Sequence, residues 1–287
     1  MSLYVLVLVL TAAILHASWN LLAKNTKGKI PFIWLQYVAC NILYLPFLFF
    51  PTNQGHAIYS QPLLWFSLSS AVLHLGYFIM LQKGYRSADL SVVYPLARGS
   101  APLISFIAAI VFLHEQLKLS SVIGLLLIIA GVLIITGLSL QKENNSKIMT
   151  GVTYGALTGL FIALYTFNDA VAVKKYGVSP LILTVATSLF SAILLLPFVL
   201  SQKDELKREI KVHKWTIIAI AILSPAAYIL VLEALKYAPL SLVAPARETS
   251  ILLGVFMGSR VFNEEDGKRR LIASVLILGG IIALSVS

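Results

Sequence analysis

Two charged side chains, Arg98 and Glu248, lie deep inside long apolar stretches of this sequence. An ionised group at the centre of a membrane-spanning helix costs at least ~2.5 kcal/mol unless it faces a cavity or a partner, so neither side chain is expected to face lipid. A cation and an anion directed at one cavity would suit a zwitterion such as an amino acid. The alternatives are a salt bridge between the two, or a structural pairing of Glu248 with the adjacent Arg247.

Polar and aromatic side chains recur at the spacing of one helix face in two other apolar stretches. The two groups are His16, Trp19 and Asn20, and Tyr165, Asn168 and Asp169. An imidazole can change its charge near neutral pH, so His16 is a predicted proton carrier, together with Asp169 and Glu248. The alternatives are a helix-to-helix hydrogen bond for His16 and an interfacial ion pair of Asp169 with Lys174 or Lys175.

Four more side chains with rings fall in the remaining apolar stretches, namely His74, Tyr77, Tyr94 and Tyr228. Together they predict an aromatic lining, which would hold organic cations by cation–π contact or flat rings by stacking. Each tyrosine has an alternative role in packing or in anchoring a helix at the membrane interface. The predicted substrate site comprises these four residues together with Arg98 and Glu248. It also includes five of the residues on the two helix faces, namely His16, Trp19, Asn20, Tyr165 and Asn168.

The elements that must hold these residues are membrane-spanning helices. Of 287 residues, 59% are apolar and 12% are charged, and the apolar residues form long runs that a soluble domain could not bury. A span needs roughly 20 apolar residues. Ten stretches qualify, at about 3–23, 31–50, 63–83, 90–112, 120–140, 151–173, 180–200, 215–235, 240–262 and 270–286. The sequence therefore predicts an all-α integral membrane protein with ten transmembrane helices.

The chain contains one membrane-helix unit twice. Residues 65–114 align with residues 215–264 at a constant offset of 150, which pairs Arg98 with Glu248. Such repeats are typical of secondary transporters built from two halves around a central site. Because each half has five spans, an odd number, the second half enters the membrane from the opposite face and the repeats are inverted. The predicted first repeat, linker and second repeat of this single membrane domain are residues 1–140, 141–150 and 151–287.

Matched prolines interrupt two of the predicted spans. Pro95 and Pro245 each remove a backbone donor and clash with the preceding turn, which leaves carbonyl groups for protein or water to satisfy. Transporters use such breaks at matching places in their two halves as ligand sites and pivots, so this pair is a predicted hinge. The alternative is an ordinary kink in each helix.

The net charge of +10 is distributed in a way that indicates membrane orientation. With ten spans, sixteen Lys and Arg residues fall in loops of one face and four in loops of the other. The positive-inside rule then predicts a cytoplasmic first face and places both termini outside the cell membrane, either a plasma membrane or a bacterial inner membrane. The expected partners are the lipid bilayer and a small-molecule substrate, not nucleic acid.

Sequence signatures of enzymatic chemistry are missing from the chain. There is no Gly-rich phosphate loop, no His-Glu-x-x-His pair and no cysteine cluster, so we expect no enzymatic activity, no cofactor and no metal site. The single cysteine, Cys40, allows no intramolecular disulfide. Without a nucleotide site, solute movement would draw on a gradient of protons, ions or the solute itself.

Several short motifs resemble a known family. The stretches YPLARG at residues 94–99, HEQ at 114–116 and IAGV at 129–132 resemble the repeat of the EamA branch of the drug/metabolite transporter superfamily. Residues 16–20, HASWN, are similar to the opening helix of that family. The resemblance implies two inverted repeats of five spans and a cavity lined by spans 1 to 4 and 6 to 9. It also implies that spans 5 and 10 lie at the periphery or form the contact of a homodimer.

These features predict a secondary carrier of a small metabolite or drug that works by alternating access. An amino-acid-like zwitterion or an organic cation is the favoured substrate, and proton coupling is an open alternative to other gradients. The resemblance alone favours export or exchange over import. The competing hypothesis is a membrane-embedded enzyme or lipid-handling protein whose cavity opens sideways to the bilayer.

Overall fold

The structure is a computed structural model that describes residues 2–26, 29–49, 61–113, 119–136, 145–238, 243, 247, 249–261 and 267–285. Within these ranges all regular structure is helical. The described α-helices are α1 Leu3–Thr26, α2 Ile30–Tyr44, α3 Gln61–Ser87, α4 Leu90–Leu113, α5 Leu119–Thr136, α6 Asn145–Tyr176, α7 Pro180–Leu200, α8 Lys203–Tyr237, α9 Ser250–Val261 and α10 Gly267–Ser285. A 3-10 turn, Leu45–Phe49, extends α2.

The distribution of side chains is that of a protein dissolved in lipid. Six described helices are long and apolar enough to cross a membrane, namely α1, α2 with its 3-10 extension, α3, α6, α7 and α8. Large apolar side chains face outward, and Leu3, Trp65, Phe167 and Trp215 are 67 to 76% exposed. Polar groups such as Asp169, at 1% exposure, are turned inward. The predicted all-α integral membrane fold is confirmed.

The packing of the helices repeats between the two halves. α3 packs along α6 as α8 packs along α1, and α2 packs on α8 as α7 packs on α3. α2, α4 and α5 each contact the helix five positions later, which is α7, α9 and α10 respectively. Exchanging each helix with its equivalent returns these contacts, as a two-fold relation between the halves requires. Because each half holds five helices, the halves run through the membrane in opposite senses.

α5 and α10 pack on one another through a matched pair of glycines. A Cβ atom on Gly131 would lie 2.7 Å from the carbonyl oxygen of Ala273, and one on Gly280 would lie 2.6 Å from that of Gly124. Neither position has space for a side chain, so the two backbones approach closely. Their other main neighbours are α4, α6 and α9, which agrees with the peripheral placement that the family resemblance implies.

The charged stretch over residues 201–214, which lies between the predicted spans 180–200 and 215–235, is largely helical. α8 begins at Lys203, and only His213 departs from helical backbone angles, with φ −117° and ψ 15°. Lys, Glu, Leu and Arg residues favour a helix here, and Arg208 binds Glu205 one turn earlier at 2.7 Å. A charged helix and a membrane span therefore join at a kink. Similarly, α6 begins at Asn145 and extends into the predicted linker.

Candidate functional site

A cavity of about 90 Å³ lies among α1, α2 and α3 of the first half and α6, α7 and α8 of the second. It offers room for several water molecules. Its lining includes seven predicted site residues, which are His16, Trp19, His74, Tyr77, Tyr165, Asp169 and Tyr228. The resemblance also implied lining from spans 4 and 9, but among the described residues none from α4 or α9 lines the cavity. Equivalent helices of the two halves thus meet at one hollow.

His16 and Trp19 form one end of the lining. The Trp19 indole Nε1–H donates a hydrogen bond to His16 Nδ1 at 3.1 Å, and the two rings meet edge to face at 5.2 Å. A nitrogen that accepts a hydrogen bond carries no hydrogen, so His16 is neutral in this arrangement and its hydrogen lies on Nε2. His16 Nε2 is buried and has no hydrogen-bond partner within the described part of the chain.

Four rings from three helices form a continuous surface that we call the aromatic wall, made of His74, Tyr77, Tyr165 and Tyr228. His74 stacks on Tyr165 with 4.0 Å between ring centroids, and Tyr228 meets His74 edge to face at 5.4 Å. Tyr77 meets Tyr165 at 5.5 Å. Because the wall combines rings of α3, α6 and α8, it presents aromatic faces and edges from both halves to the cavity.

Asp169 is a buried carboxylate at the edge of the aromatic wall. Ser70 and Tyr228 donate their hydroxyl hydrogens to Oδ2, at 3.0 and 2.7 Å, and Asn168 donates its amide to Oδ1 at 2.9 Å. The two carboxyl oxygens of Asp169 thus act as acceptors towards three uncharged donors. The alternative of an interfacial pair with Lys174 or Lys175 does not match this placement, because Asp169 is only 1% exposed.

Three predicted site residues bind neighbouring helices instead of lining the cavity. Asn20 donates to the His16 carbonyl at 2.7 Å and accepts from the Tyr85 hydroxyl at 2.6 Å. Asn168 donates to the Phe66 carbonyl at 3.0 Å, in addition to its bond with Asp169. Tyr94 donates to the Ser250 hydroxyl at 3.0 Å and so links α4 to α9. These contacts hold the cavity helices in register.

Two buried arginines, one from each half, lie near the cavity. Arg98 is 2% exposed and Arg247 is 6% exposed. Both charges lie close enough to act on the His16 imidazole. Pro95 is buried in α4, which continues as a helix through it. Glu248 and Pro245 lie outside the described residues, so the pairing with Arg98 and the matched hinge stay predictions.

The sequence reasoning missed the polar lining from α2, α7 and α8, namely Gln36, Tyr37, Cys40, Thr184, Thr187, Ser188 and Ser224. The repeat could have indicated several of them. The Leu-Pro-Phe motifs near the ends of spans 2 and 7 set an offset of 151, which pairs Gln36 with Thr187. The offset of 150 likewise pairs His74 with Ser224. Equivalent positions of the two halves thus line one cavity.

A second carboxylate network lies at one face of the bundle, in the turn between α3 and α4. Asp89 accepts from Lys147 at the start of α6 at 2.8 Å and from Arg270 at the start of α10 at 2.9 Å. Burial alone would raise the pKa of Asp89, but the hydrogen bonds from these two cations outweigh it and hold the pKa below its ordinary value. The network ties three helix ends together.

The fold and the cavity together define a class of protein. Two symmetry-related halves that cross the membrane in opposite senses enclose a cavity lined by polar and aromatic side chains, an architecture typical of membrane transporters. In the part of the chain that the structure describes, no three His, Cys, Asp or Glu side chains are grouped so as to hold a metal ion.

Comparison with known proteins identifies the family. A model of the EamA-like transporter family matches this chain twice, over residues 3–137 and 149–286. The chain therefore belongs to the EamA-like transporter family, within the drug/metabolite transporter superfamily, and is a multi-pass membrane transporter and not an enzyme. The two matches also confirm the predicted duplication.

One solved crystal structure, described only as that of a protein, shares the fold. It has a TM-score of 0.62 and 15% sequence identity over 97% of this chain and 95% of that chain. No curated protein sequence matches the chain.

Proposed function

We propose that this transporter is a secondary carrier that moves a small amino-acid-like zwitterion across the cell membrane by alternating access, in export or exchange. The observation that carries the proposal is a buried carboxylate, Asp169, beside the aromatic wall in a cavity that both halves line. A carboxylate and the faces of aromatic rings both attract an ammonium group. This side of the cavity is therefore suited to the amino end of the solute.

The two arginines favour a zwitterion over the organic cation that the sequence left as an alternative. Arg98 and Arg247 act on His16, which is itself part of the lining. The positive charge of these arginines repels another cation that binds close to His16. A solute with only an ammonium group meets this repulsion, whereas the carboxylate of a zwitterion is attracted by the same arginines.

The packing symmetry supports alternating access as the mode of movement. Because α8 packs on α1 as α3 packs on α6, each half can adopt the conformation of the other. Such an exchange of conformations would open the cavity first to one face of the membrane and then to the opposite face. We include in the proposal the repeats 1–140 and 151–287, the linker 141–150, and both termini outside the cell, as the basic loops indicate. A solute, ion or proton gradient drives the cycle.

Exchange in liposomes tests this function. Purified protein is reconstituted into liposomes loaded with leucine, and entry of labelled leucine is followed with each proteinogenic amino acid as a competitor. Isopentylamine and 4-methylpentanoate keep the side chain of leucine but lack its carboxylate and its ammonium group, respectively. We expect saturable exchange and at least about tenfold weaker competition by the amine and the acid, because each lacks one charged contact worth roughly 1.5–3 kcal/mol.

Two outcomes would contradict the proposal in different ways. Equal competition by isopentylamine and leucine would identify a carrier of organic cations. Exchange of no proteinogenic amino acid would overturn the zwitterion as the substrate class. Thermal unfolding of the purified protein with each compound measures binding independently of flux, since a ligand of the folded state raises the unfolding temperature.

A further inference from the structure

Ser70 connects two titratable side chains of the cavity, His74 and Asp169. Its hydroxyl oxygen lies 3.0 Å from Nδ1 of His74 and 3.0 Å from Oδ2 of Asp169. Both of these side chains line the cavity, whereas Ser70 is fully buried behind them. Ser70 therefore links the imidazole to the carboxylate from a position outside the cavity lining.

The hydrogen positions in this chain follow from one backbone acceptor. His74 Nδ1 also lies 3.0 Å from the carbonyl oxygen of Ser70, which can only accept a hydrogen bond. Nδ1 therefore carries a hydrogen and shares it between the carbonyl and hydroxyl oxygens of Ser70. The single hydroxyl hydrogen of Ser70 is then directed to Asp169, which also receives the hydroxyl hydrogen of Tyr228.

This arrangement prepares His74 to bind a proton. With Nδ1 already protonated, the neutral ring can take another proton only at Nε2. Uptake from cavity water forms one N–H bond there and turns the ring into an imidazolium, and release returns the same proton to water. The hydroxyl of Ser70 points its hydrogen at the carboxylate and its lone pairs at the ring, so the negative charge of Asp169 favours the imidazolium.

We propose that His74 is the proton-binding group of the transport cycle and that Ser70 is the positioning residue that couples it to Asp169. This inference rests on the proposed function, because proton and solute use the same cavity. His74 stacks on Tyr165 in the aromatic wall. A proton on His74 thus places a cation where the ammonium group of the solute would bind, with Asp169 as the shared counter-ion. Occupation by one opposes occupation by the other, so solute movement one way is coupled to proton movement the other way.

Other charged and titratable groups surround His74 on several helices. Burial of the His74 ring opposes a positive charge on it, and the carboxylate of Asp169 favours that charge. Arg98 and Arg247 act on the neighbouring Tyr77 and Tyr228, respectively. The groups are Asp169 and Tyr165 from α6, Tyr228 from α8, Tyr77 from α3, His16 from α1, Tyr37 and Cys40 from α2, Arg98 from α4, and Arg247 close before α9. The test therefore changes Ser70, which alters the coupling without removing any of these groups.

Nuclear magnetic resonance of the imidazole nitrogens tests the site without any solute. Protein labelled with ¹⁵N-histidine is placed in lipid nanodiscs and titrated between about pH 5 and 9, where an imidazole normally changes charge. The His74 signals are assigned from their loss in His74→Gln. We expect His74 to titrate, to carry hydrogen on Nδ1 when neutral, and to shift its midpoint by at least about 0.5 pH unit towards lower pH in Ser70→Ala, because the link to the carboxylate is lost.

Ser69→Ala is the matched control for this experiment. Ser69 is the neighbouring serine of α3, and its hydroxyl donates to Asn168 at 2.7 Å, not to Asp169. The same truncation one position away should leave the His74 midpoint within about 0.2 pH unit. Ser70→Thr, which keeps the hydroxyl, should restore the midpoint of the natural protein. A His74 that does not titrate in this range, or equal midpoints in Ser70→Ala and the natural protein, would overturn the inference.

Flux measurements separate this inference from the proposed function. In leucine-loaded liposomes, leucine exchange without a pH gradient reports the carrier, and accumulation driven by a pH gradient reports the coupling. We expect Ser70→Ala to lower the ratio of driven accumulation to exchange at least fivefold, and Ser69→Ala to leave that ratio unchanged. If Ser70→Ala exchanges leucine and keeps the same ratio of driven accumulation to exchange, the proton coupling through Ser70 is overturned, but the proposed carrier function is not. If neither leucine nor any other amino acid is exchanged but His74 titrates as expected, the proposed function is overturned and the assignment of His74 as a proton-binding group is retained.

Discussion

Two aspartates of this transporter, Asp169 and Asp89, have opposite surroundings. Asp169 is 1% exposed within α6, and its three donors are the uncharged groups of Ser70, Tyr228 and Asn168. The Asp89 side chain is 24% exposed in the turn between α3 and α4, and its two donors are cations. Both carboxylates join helices of the two halves, but only the first of them lines the cavity.

The difference in donors separates a structural carboxylate from one that can act on a solute. Lys147 and Arg270 satisfy the charge of Asp89 directly and keep its pKa low, so its function is to hold helix ends together. The hydroxyl and amide donors of Asp169 fix its orientation and carry no positive charge, and in the proposed function a cation in the cavity pairs with this carboxylate. Neutral hydrogen-bond donors around a buried carboxylate therefore distinguish the candidate site from the ion pairs at the membrane face.

The largest effect is expected from Asp169→Asn. The change keeps the size of the side chain but removes the charge that would pair with an ammonium group, a contact worth roughly 1.5–3 kcal/mol, or about 10- to 100-fold in affinity. Leucine binding in thermal-shift titrations should weaken by that factor. Asp89→Asn makes the same chemical change at the face of the bundle, and it should leave leucine binding, measured by thermal shift, within about twofold. Equal losses in both variants would remove the distinction between the two carboxylates.

A smaller effect is expected from Tyr228→Phe, which keeps the ring of the aromatic wall and removes one donor to Asp169. Loss of a hydrogen bond of about 1 kcal/mol predicts roughly three- to tenfold weaker leucine binding in thermal-shift titrations. Tyr44→Phe is the matched control, because the Tyr44 hydroxyl donates to the Ile222 carbonyl at 2.7 Å and Tyr44 is not among the described lining residues. Similar losses in the two variants would show that the effect comes from packing and not from the carboxylate.

The smallest effect is on stability, and it concerns Asp89. Its pKa in the folded protein lies below the value of about 3.9 expected for an unfolded chain, so its ion pairs stabilise the fold above that pH. This contribution is lost as the pH falls through the lower folded pKa. Asp89→Asn should lower the free energy of unfolding by about 1 kcal/mol at pH 7, with a difference that shrinks as the pH falls below about 4. Thermal unfolding in detergent across this range measures it, and a difference that does not change with pH would rule out the ion pairs as its cause.

Several residues that line the cavity were predicted site residues for one physical reason. His16, His74 and Asp169 lie in apolar stretches, and a polar group there must avoid lipid, so each was expected to face inward. The same rule also selected Asn20 and Tyr94, which bind neighbouring helices instead. A polar side chain is protected from lipid equally well by a cavity and by a packed helix, and the sequence of one helix does not distinguish them.

Some residues of the cavity were not predicted from the sequence, because their side chains are small and polar. Thr187 and Ser188 line the cavity from α7, but short hydroxyl side chains cost little in an apolar helix because they can bond to its own backbone. Ser70 gave no signal for the same reason, although it carries the link between His74 and Asp169. Small polar residues therefore enter a membrane site without a signature in the apolar pattern, and the repeat offset indicates only some of them, such as Thr187, which pairs with Gln36.

The sequence by itself determined the spans, their number and the inversion of the two halves. These properties depend on the length of each apolar run and on an odd count of spans per half, which are local features of the chain. Only the tertiary structure decided which side chains meet. The link from His74 through Ser70 to Asp169 depends on the rotation of α3 and α6 about their own axes, and packing against the other helices fixes that rotation. Residues far apart in the sequence share a site because many weak contacts along two whole helices select one orientation.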